Sequence, residues 1–185
     1  MKTLNEWFEK GMDYRAYVDQ MTTNQENMLS IYNRFQLNKE QIETMNQLQS
    51  RKLRAIAITE DWCGDAMLNN PVLMKIAEAA GIEVRYLLRD QNLELMDQYL
   101  TNGTSRSIPI YIFLDEEGNE FAVWGPRAPE VQQFVDDERA KLPEKEAPDF
   151  TEKQKEMYKK MITFFLEYQQ VWKEVADSII EKISK

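Results

Sequence analysis

A chain of 185 residues with 43% apolar and 30% charged residues is long enough to bury a sizeable core and has the make-up of an ordinary globular protein of one domain with additions. Its formal net charge of −9 repels phosphate backbones, which speaks against nucleic acid as a partner. Histidine is absent and Cys63 is the sole cysteine, which excludes Ser-His-Asp and Cys-His catalysis within the chain, His-ligated or Cys-rich metal sites, and an internal disulfide.

The first residues carry no apolar signal-like stretch and no run of 18 apolar residues occurs, so no membrane span is expected and the cytoplasm is the expected location. Thr3-Leu4-Asn5-Glu6 has the form of a capping box, and Leu4, Trp7 and Phe8 follow at helical spacing as far as Gly11. A second helical pattern starts with Tyr14, Tyr17, Val18 and Met21. It continues, or restarts near Thr23, through Met28, Ile31, Tyr32 and Phe35. Asn38 is the expected N-cap of a helix bearing Ile42, Met45 and Leu48, which completes a helical extension over residues 1–50.

The period then changes. Leu53 to Thr59 predicts a strand, Gly64 to Ala80 a helix ended by Gly81, and Ile82 to Leu88 a strand with Ile82, Val84 and Tyr86 on one face. A helix is expected over Asn92 to Leu100 with Leu93, Met96 and Leu100 inward, and a strand over Ile108 to Leu114. Asp115 to Glu120 turns that strand into another ending at Trp124, and Pro129 to Ala140 closes the segment as a helix. Strand, helix, strand, helix, strand, strand, helix implies an α/β fold over residues 51–142, a mixed central sheet with helices on both faces. Pro143 to Asp149 is a charged linker. Beyond it, Asp149 with Glu152 predicts the cap of one long helix to about Ile183, with Met157, Met161, Phe164, Phe165, Tyr168, Trp172, Val175 and Ile179 on its apolar face. That face either packs on the N-terminal helices or forms the seam of a homodimer.

Residues 51 to 142 resemble thioredoxin. A strand runs into Trp62-Cys63-Gly64 at a helix start, Pro71 lies eight residues beyond the cysteine, and Ile108-Pro109 follows later, with Gly125 near the end of the hairpin. More narrowly, Trp62-Cys63-Gly64-Asp65-Ala66 is similar to small bacterial thioredoxin-like proteins with WCGDA or WCGDC. The resemblance implies a cis Pro109 facing the site and a backbone near Ile108 free to bond an extended ligand. Two positions depart from the family pattern: Ala66 stands where its second cysteine falls, and Ala57 where its buried acid falls.

A thiolate at a helix N-terminus is stabilised by free N–H groups and the helix dipole, whereas Glu60, Asp61 and Asp65 disfavour it. Ala66 cannot release a mixed disulfide, so Cys63 as a nucleophile requires an outside thiol. The expected function is monothiol thiol–disulfide exchange with protein thiols or disulfides, resolved by a low-molecular-weight thiol such as bacillithiol, coenzyme A or glutathione. No cofactor is implied. The alternative is a non-catalytic binding module in which Cys63 is only small and buried; a cluster held between two copies is a third. Trp62 would supply an apolar wall, with Gly64, Asp65, Ala66, Ile108 and Pro109 supporting. Asp65 also reads simply as a first-turn helix acid, and Trp124 to Pro129 as a strand end and turn, with Arg127 available to an anion.

Overall fold

The computed structural model describes all residues 1–185. Four strands, β1 (Arg54–Thr59), β2 (Glu83–Leu88), β3 (Ile110–Leu114) and β4 (Glu120–Trp124), form one sheet in the order β2-β1-β3-β4. β1 and β2 run parallel, whereas β3 is antiparallel to both β1 and β4. The mixed α/β architecture with covered faces is the one the strand and helix order predicts.

Alternation along the strands divides the interior. Ala55, Ala57, Val84, Tyr86, Tyr111 and Phe113 face a large core built with most of the helices. Ile56, Ile58, Leu87, Ile110, Ile112 and Leu114 face a smaller one, closed by Trp7 and Phe8 of α1 (Leu4–Lys10) and by Leu95 and Met96. Both expected capping boxes form. Thr3 and Glu6 exchange bonds of 3.2 and 2.7 Å at α1, and Asn38 and Gln41 do so at α4 (Lys39–Leu48). Between them run α2 (Tyr14–Gln20) and α3 (Gln25–Arg34), so the second helical pattern restarts rather than continues. The edge of β2 is met by Met12, whose N–H and carbonyl pair with Tyr86 at 2.9 and 2.7 Å, leaving that stretch of edge unavailable to other chains.

α5 (Gly64–Ala80) and α7 (Pro129–Ala140) have the expected bounds. Three elements differ. The helix expected over Asn92 to Leu100 is a single turn, α6 (Leu93–Met96). Its buried side chains are the adjacent Leu95 and Met96, not the spaced Leu93 and Leu100, so only one turn has a core to dock on. β3 starts at Ile110, because Pro109 has no N–H and the ladder with β1 ends at Ile58–Ile110. The C-terminal helix runs in two pieces, α8 (Phe150–Glu167) and α9 (Gln169–Ile183), with Tyr168 extended between them (φ −101°, ψ 95°).

That break is held from both sides. The Trp172 indole N–H donates to the Phe165 carbonyl at 2.7 Å, and Arg34 donates to the Leu166 carbonyl at 2.8 Å, satisfying acceptors that the end of α8 leaves open. Asp149 makes no side-chain cap bond. The apolar face of α9 is buried within the chain, against α4, α5, α7 and β4, and Trp124 Nε1 donates to Ser178 Oγ at 2.9 Å. No helix is long and apolar enough to cross a membrane.

Candidate functional site

β1 delivers the chain to the site and α5 leaves from it. Cys63 is the N-cap of α5, with extended backbone (φ −83°, ψ 120°), and its Sγ accepts from the Ala66 N–H at 3.5 Å in the place of a capping oxygen. The Sγ–H donates to the Ile108 carbonyl, also at 3.5 Å. The Ile108–Pro109 peptide is cis. Gly125, at φ +131°, lies so close behind it that an added Cβ would sit 2.2 Å from the Pro109 carbonyl oxygen. Here glycine is required both by conformation and by contact.

The three flanking acids have different fates. Glu60 accepts from the Asp90 N–H at 3.0 Å, and Asp61 accepts from the N–H groups of Thr22 and Thr23 at 2.7 and 3.2 Å, tying the loop to the N-terminal helices. Asp65 is the acid that acts on the sulfur. Burial, then the Asp65 charge, push the Cys63 thiol up to about 11. The backbone N–H groups of Ala66 and Asp65 and the Arg127 guanidinium oppose the shift without cancelling it. Desolvation therefore outweighs the helix terminus, and the thiol is protonated at neutral pH.

Asp65 is itself buried, which pushes its carboxyl above the usual carboxylate range, against the pull of Arg127. Arg127 grips both carboxylate oxygens, Nε to Oδ1 at 2.8 Å and Nη2 to Oδ2 at 2.7 Å, and adds a bond to Gln132 Oε1 at 3.1 Å. Both side chains of this ion pair are about nine-tenths buried. A bidentate fork of this kind favours the ionised carboxylate and opposes that shift.

Beside the sulfur lies a cavity of about 480 Å³ lined by Trp62, Cys63, Gly64, Asp65, Arg127 and Arg139, and on its far wall by Tyr158, Met161, Ile162 and Phe165 of α8. α8 approaches closely enough that a Cβ on Gly64 would lie 3.0 Å from Ile162 Cδ1. Trp62 is half exposed at the rim, with the Arg89 guanidinium 4.9 Å from its ring centre. Of the residues singled out from sequence, Trp62, Cys63, Gly64 and Asp65 meet at this cavity, and the Ile108 carbonyl touches the sulfur. Ala66 is buried beneath, and Pro109 is reached through the Ile108 carbonyl and the backbone of Gly125.

The model of the family described as thioredoxin matches residues 11–141. The chain belongs to the thioredoxin family. The match takes in α2 to α4 as well as the sheet and stops short of α8, so the far wall of the cavity comes from outside the matched region. Solved structures show the same fold at low identity. One is a protein of unknown function from Pseudomonas aeruginosa, 20% identical, covering 97% of this chain and 98% of that one with a TM-score of 0.67. Another is an HIV epitope-scaffold, also 20% identical, with the same coverage and a TM-score of 0.69. No curated protein matches the chain.

Within that family the two departures now have surroundings. Ala66 offers the sulfur a backbone N–H and no second thiol. Ala57 is fully buried on the large-core face of β1. No group of three or more His, Cys, Asp or Glu side chains gathers to hold a metal ion. From sequence alone Arg127 reads mainly as part of a turn, and Arg139, Tyr158 and Ile162 carry no sign of a site. Arg127 between two prolines after a strand was the one available signal; the α8 residues carried none beyond helical spacing.

Proposed function

We propose that the protein carries out monothiol thiol–disulfide exchange through Cys63, with an outside thiol completing the cycle. The carrying observation is that the thiol stands at the N-terminus of α5, against the Ile108 carbonyl, and opens onto a cavity large enough for a small ligand. The Cys63 thiolate attacks one sulfur of a disulfide RS–SR. A Cys63–SR bond forms, the RS–SR bond breaks, and RS⁻ leaves and takes up a proton. A second thiolate then attacks the R sulfur, forming a new disulfide and returning Cys63 as thiolate, which is reprotonated. Sulfur oxidation is exchanged, with no net oxidant consumed.

A thiol held near 11 attacks slowly at neutral pH and, once bonded, leaves slowly, so the mixed disulfide is long-lived. The same protonation favours the second reading, a binding module whose cysteine does no chemistry. An intact-mass measurement on protein taken from cells without reductant separates the two. An adduct on Cys63 names the thiol and supports exchange. A uniformly bare thiol, together with ligand or partner binding that survives Cys63→Ser, supports the module and refutes exchange.

A further inference from the structure

We infer that the cavity beside Cys63 takes a small thiol or disulfide bearing an anionic group, carboxylate or phosphate, anchored by Arg139, and that α8 denies it to folded protein substrates. This deepens the exchange reading above and rests on it for the covalent step only.

Size comes first. About 480 Å³ is the liquid volume of about 16 water molecules, so the part of the ligand that the cavity encloses has a number of heavy atoms of that order, and the rest of a larger ligand lies outside it. The far wall is the chain's own α8, placed over the first turn of α5 by the contact between Gly64 and Ile162. On that side of the site, α8 stands between a folded partner and the thiol.

Charge comes second. The molecule carries −9, yet the residues lining the cavity include one carboxylate, Asp65, and two guanidinium groups, a local charge of +1. Arg127 is committed to Asp65 through both carboxylate oxygens. Arg139 takes part in no ion pair or side-chain hydrogen bond and lies at the solvent-facing end of α7, which leaves it as the cation available to a ligand. Aromatic surface comes third. Two of the molecule's few exposed large apolar or aromatic side chains, Trp62 at 51% and Tyr158 at 48%, both line this cavity, and Met161, Ile162 and Phe165 make the rest of its far wall apolar. Anion, flat or aliphatic body and sulfur are the three features the lining matches.

In the covalent step the ligand's S–S bond breaks, a Cys63–S bond forms, and the released half leaves as a thiol after taking a proton. The disulfide itself is the oxidant. The full chain is exposed in turn to oxidised glutathione, which carries carboxylates, coenzyme A disulfide, which carries phosphates, the neutral hydroxyethyl disulfide and the cationic cystamine. Initial rates of adduct formation are read by intact mass, each divided by the rate of the urea-unfolded chain. At least one anionic probe should exceed hydroxyethyl disulfide by about tenfold, with cystamine lowest. The advantage should vanish in Arg139→Gln and persist in Arg139→Lys, and which anion wins decides carboxylate against phosphate. Equal ratios across the four probes, or an advantage unmoved by Arg139→Gln, overturn the inference and leave exchange standing. Calorimetry of reduced glutathione and of coenzyme A on Cys63→Ser tests the cavity without chemistry. Binding there with no adduct on the native wild type refutes exchange and supports the cavity; no binding of either refutes the cavity.

Discussion

The alkylation of Cys63 as a function of pH follows directly from the packing of its sulfur. With the thiol at about 11, the thiolate fraction at pH 7 is about one in 10⁴, against about 3% for an unperturbed cysteine near 8.5. That is a deficit of about 300-fold. The more basic thiolate recovers roughly tenfold, because nucleophilicity rises with pKa at a Brønsted slope of about 0.4–0.5. The native chain should therefore react with iodoacetamide roughly 20- to 30-fold more slowly at pH 7 than the same chain unfolded in urea. Its rate should climb tenfold per pH unit to about pH 10, while the unfolded chain levels off near pH 9. A merely shielded sulfur would give a constant ratio at every pH, so the changing ratio identifies the cause. Asp65→Asn removes the second contributor to the shift and leaves the Arg127 guanidinium facing the thiolate. It should speed the reaction at pH 7 to 8 by about three- to fourfold, the tenfold gain in thiolate from one pKa unit being partly offset by the lower nucleophilicity of the less basic thiolate. A native half-point near 8.5, a rate at pH 7 matching the unfolded chain, or no response to Asp65→Asn would refute the reasoning.

Arg127→Gln strands a buried carboxylate and should cost about 3 kcal/mol in urea unfolding at pH 7; Arg127→Gln with Asp65→Asn should recover most of it, and a single variant as stable as wild type would deny the pair its burial. Because the folded-state pKa of Cys63 lies above its unfolded value, its contribution to stability is complete below about pH 9 and is lost as pH rises to about 11. Over that window wild type should lose on the order of 2 kcal/mol more than Cys63→Ser, in which the tyrosines titrate alike, as read from urea midpoints at each pH. Gly125→Ala drives a Cβ into the Pro109 carbonyl oxygen at φ +131° and should cost about 3 kcal/mol or more and alter Cys63 alkylation, whereas Gly103→Ala, at φ +72° with open space around it, should cost about 1 kcal/mol. Thermal melts of the two variants, equal within error, would contradict that account.

The sheet was legible because β1 and β3 are short apolar, β-branched runs and β2 alternates, with Val84 and Tyr86 on one face. In β3, Tyr111 and Phe113 go to the large core and Ile110, Ile112 and Leu114 to the small one, and no other element competes for that pattern. The bounds of α5 were legible because both ends are marked locally, Cys63-Gly64 at one and Gly81 in the left-handed region at the other. What failed were features fixed by distant residues. The break at Tyr168 has no glycine or proline; it exists because Trp172 and Arg34, on α9 and α3, satisfy the carbonyls that the break frees. The Arg127–Asp65 pair joins positions 62 apart, and nothing near either residue names the other. Tyr158 and Ile162 look like any helical positions until α8 is laid over the start of α5.

The two alanines that interrupt the family pattern have a joint consequence. Ala57 lies in the large core with Tyr86 and Tyr111 as its strand partners, and the polar groups on that face of the sheet are neutral. Thr59 Oγ1 meets the Tyr17 hydroxyl at 3.2 Å and accepts from Asn70 Nδ2 at 3.1 Å, and the Tyr111 hydroxyl donates to Asn70 Oδ1 at 2.6 Å. Burial pushes Tyr17 up to about 12 and Tyr111 well above the ordinary tyrosine range, so this network takes no proton near neutral pH. A proton leaving Cys63 therefore has no acceptor beneath the sulfur and must exit on the side of the Ile108 carbonyl and the cavity. Ala66 removes the internal thiol from the same site. In the proposed exchange, both the proton acceptor and the resolving sulfur then come from whatever occupies the cavity. Asp65, the acid beside the sulfur, is held through both oxygens by Arg127, so it is fixed in place rather than free to relay a proton. A buried ion pair is poor evidence for stability alone. Placed on the wall of the cavity beside the thiol, it sets the field an entering ligand meets, repelling negative charge at Asp65 and leaving Arg139 as the point where an anion is attracted.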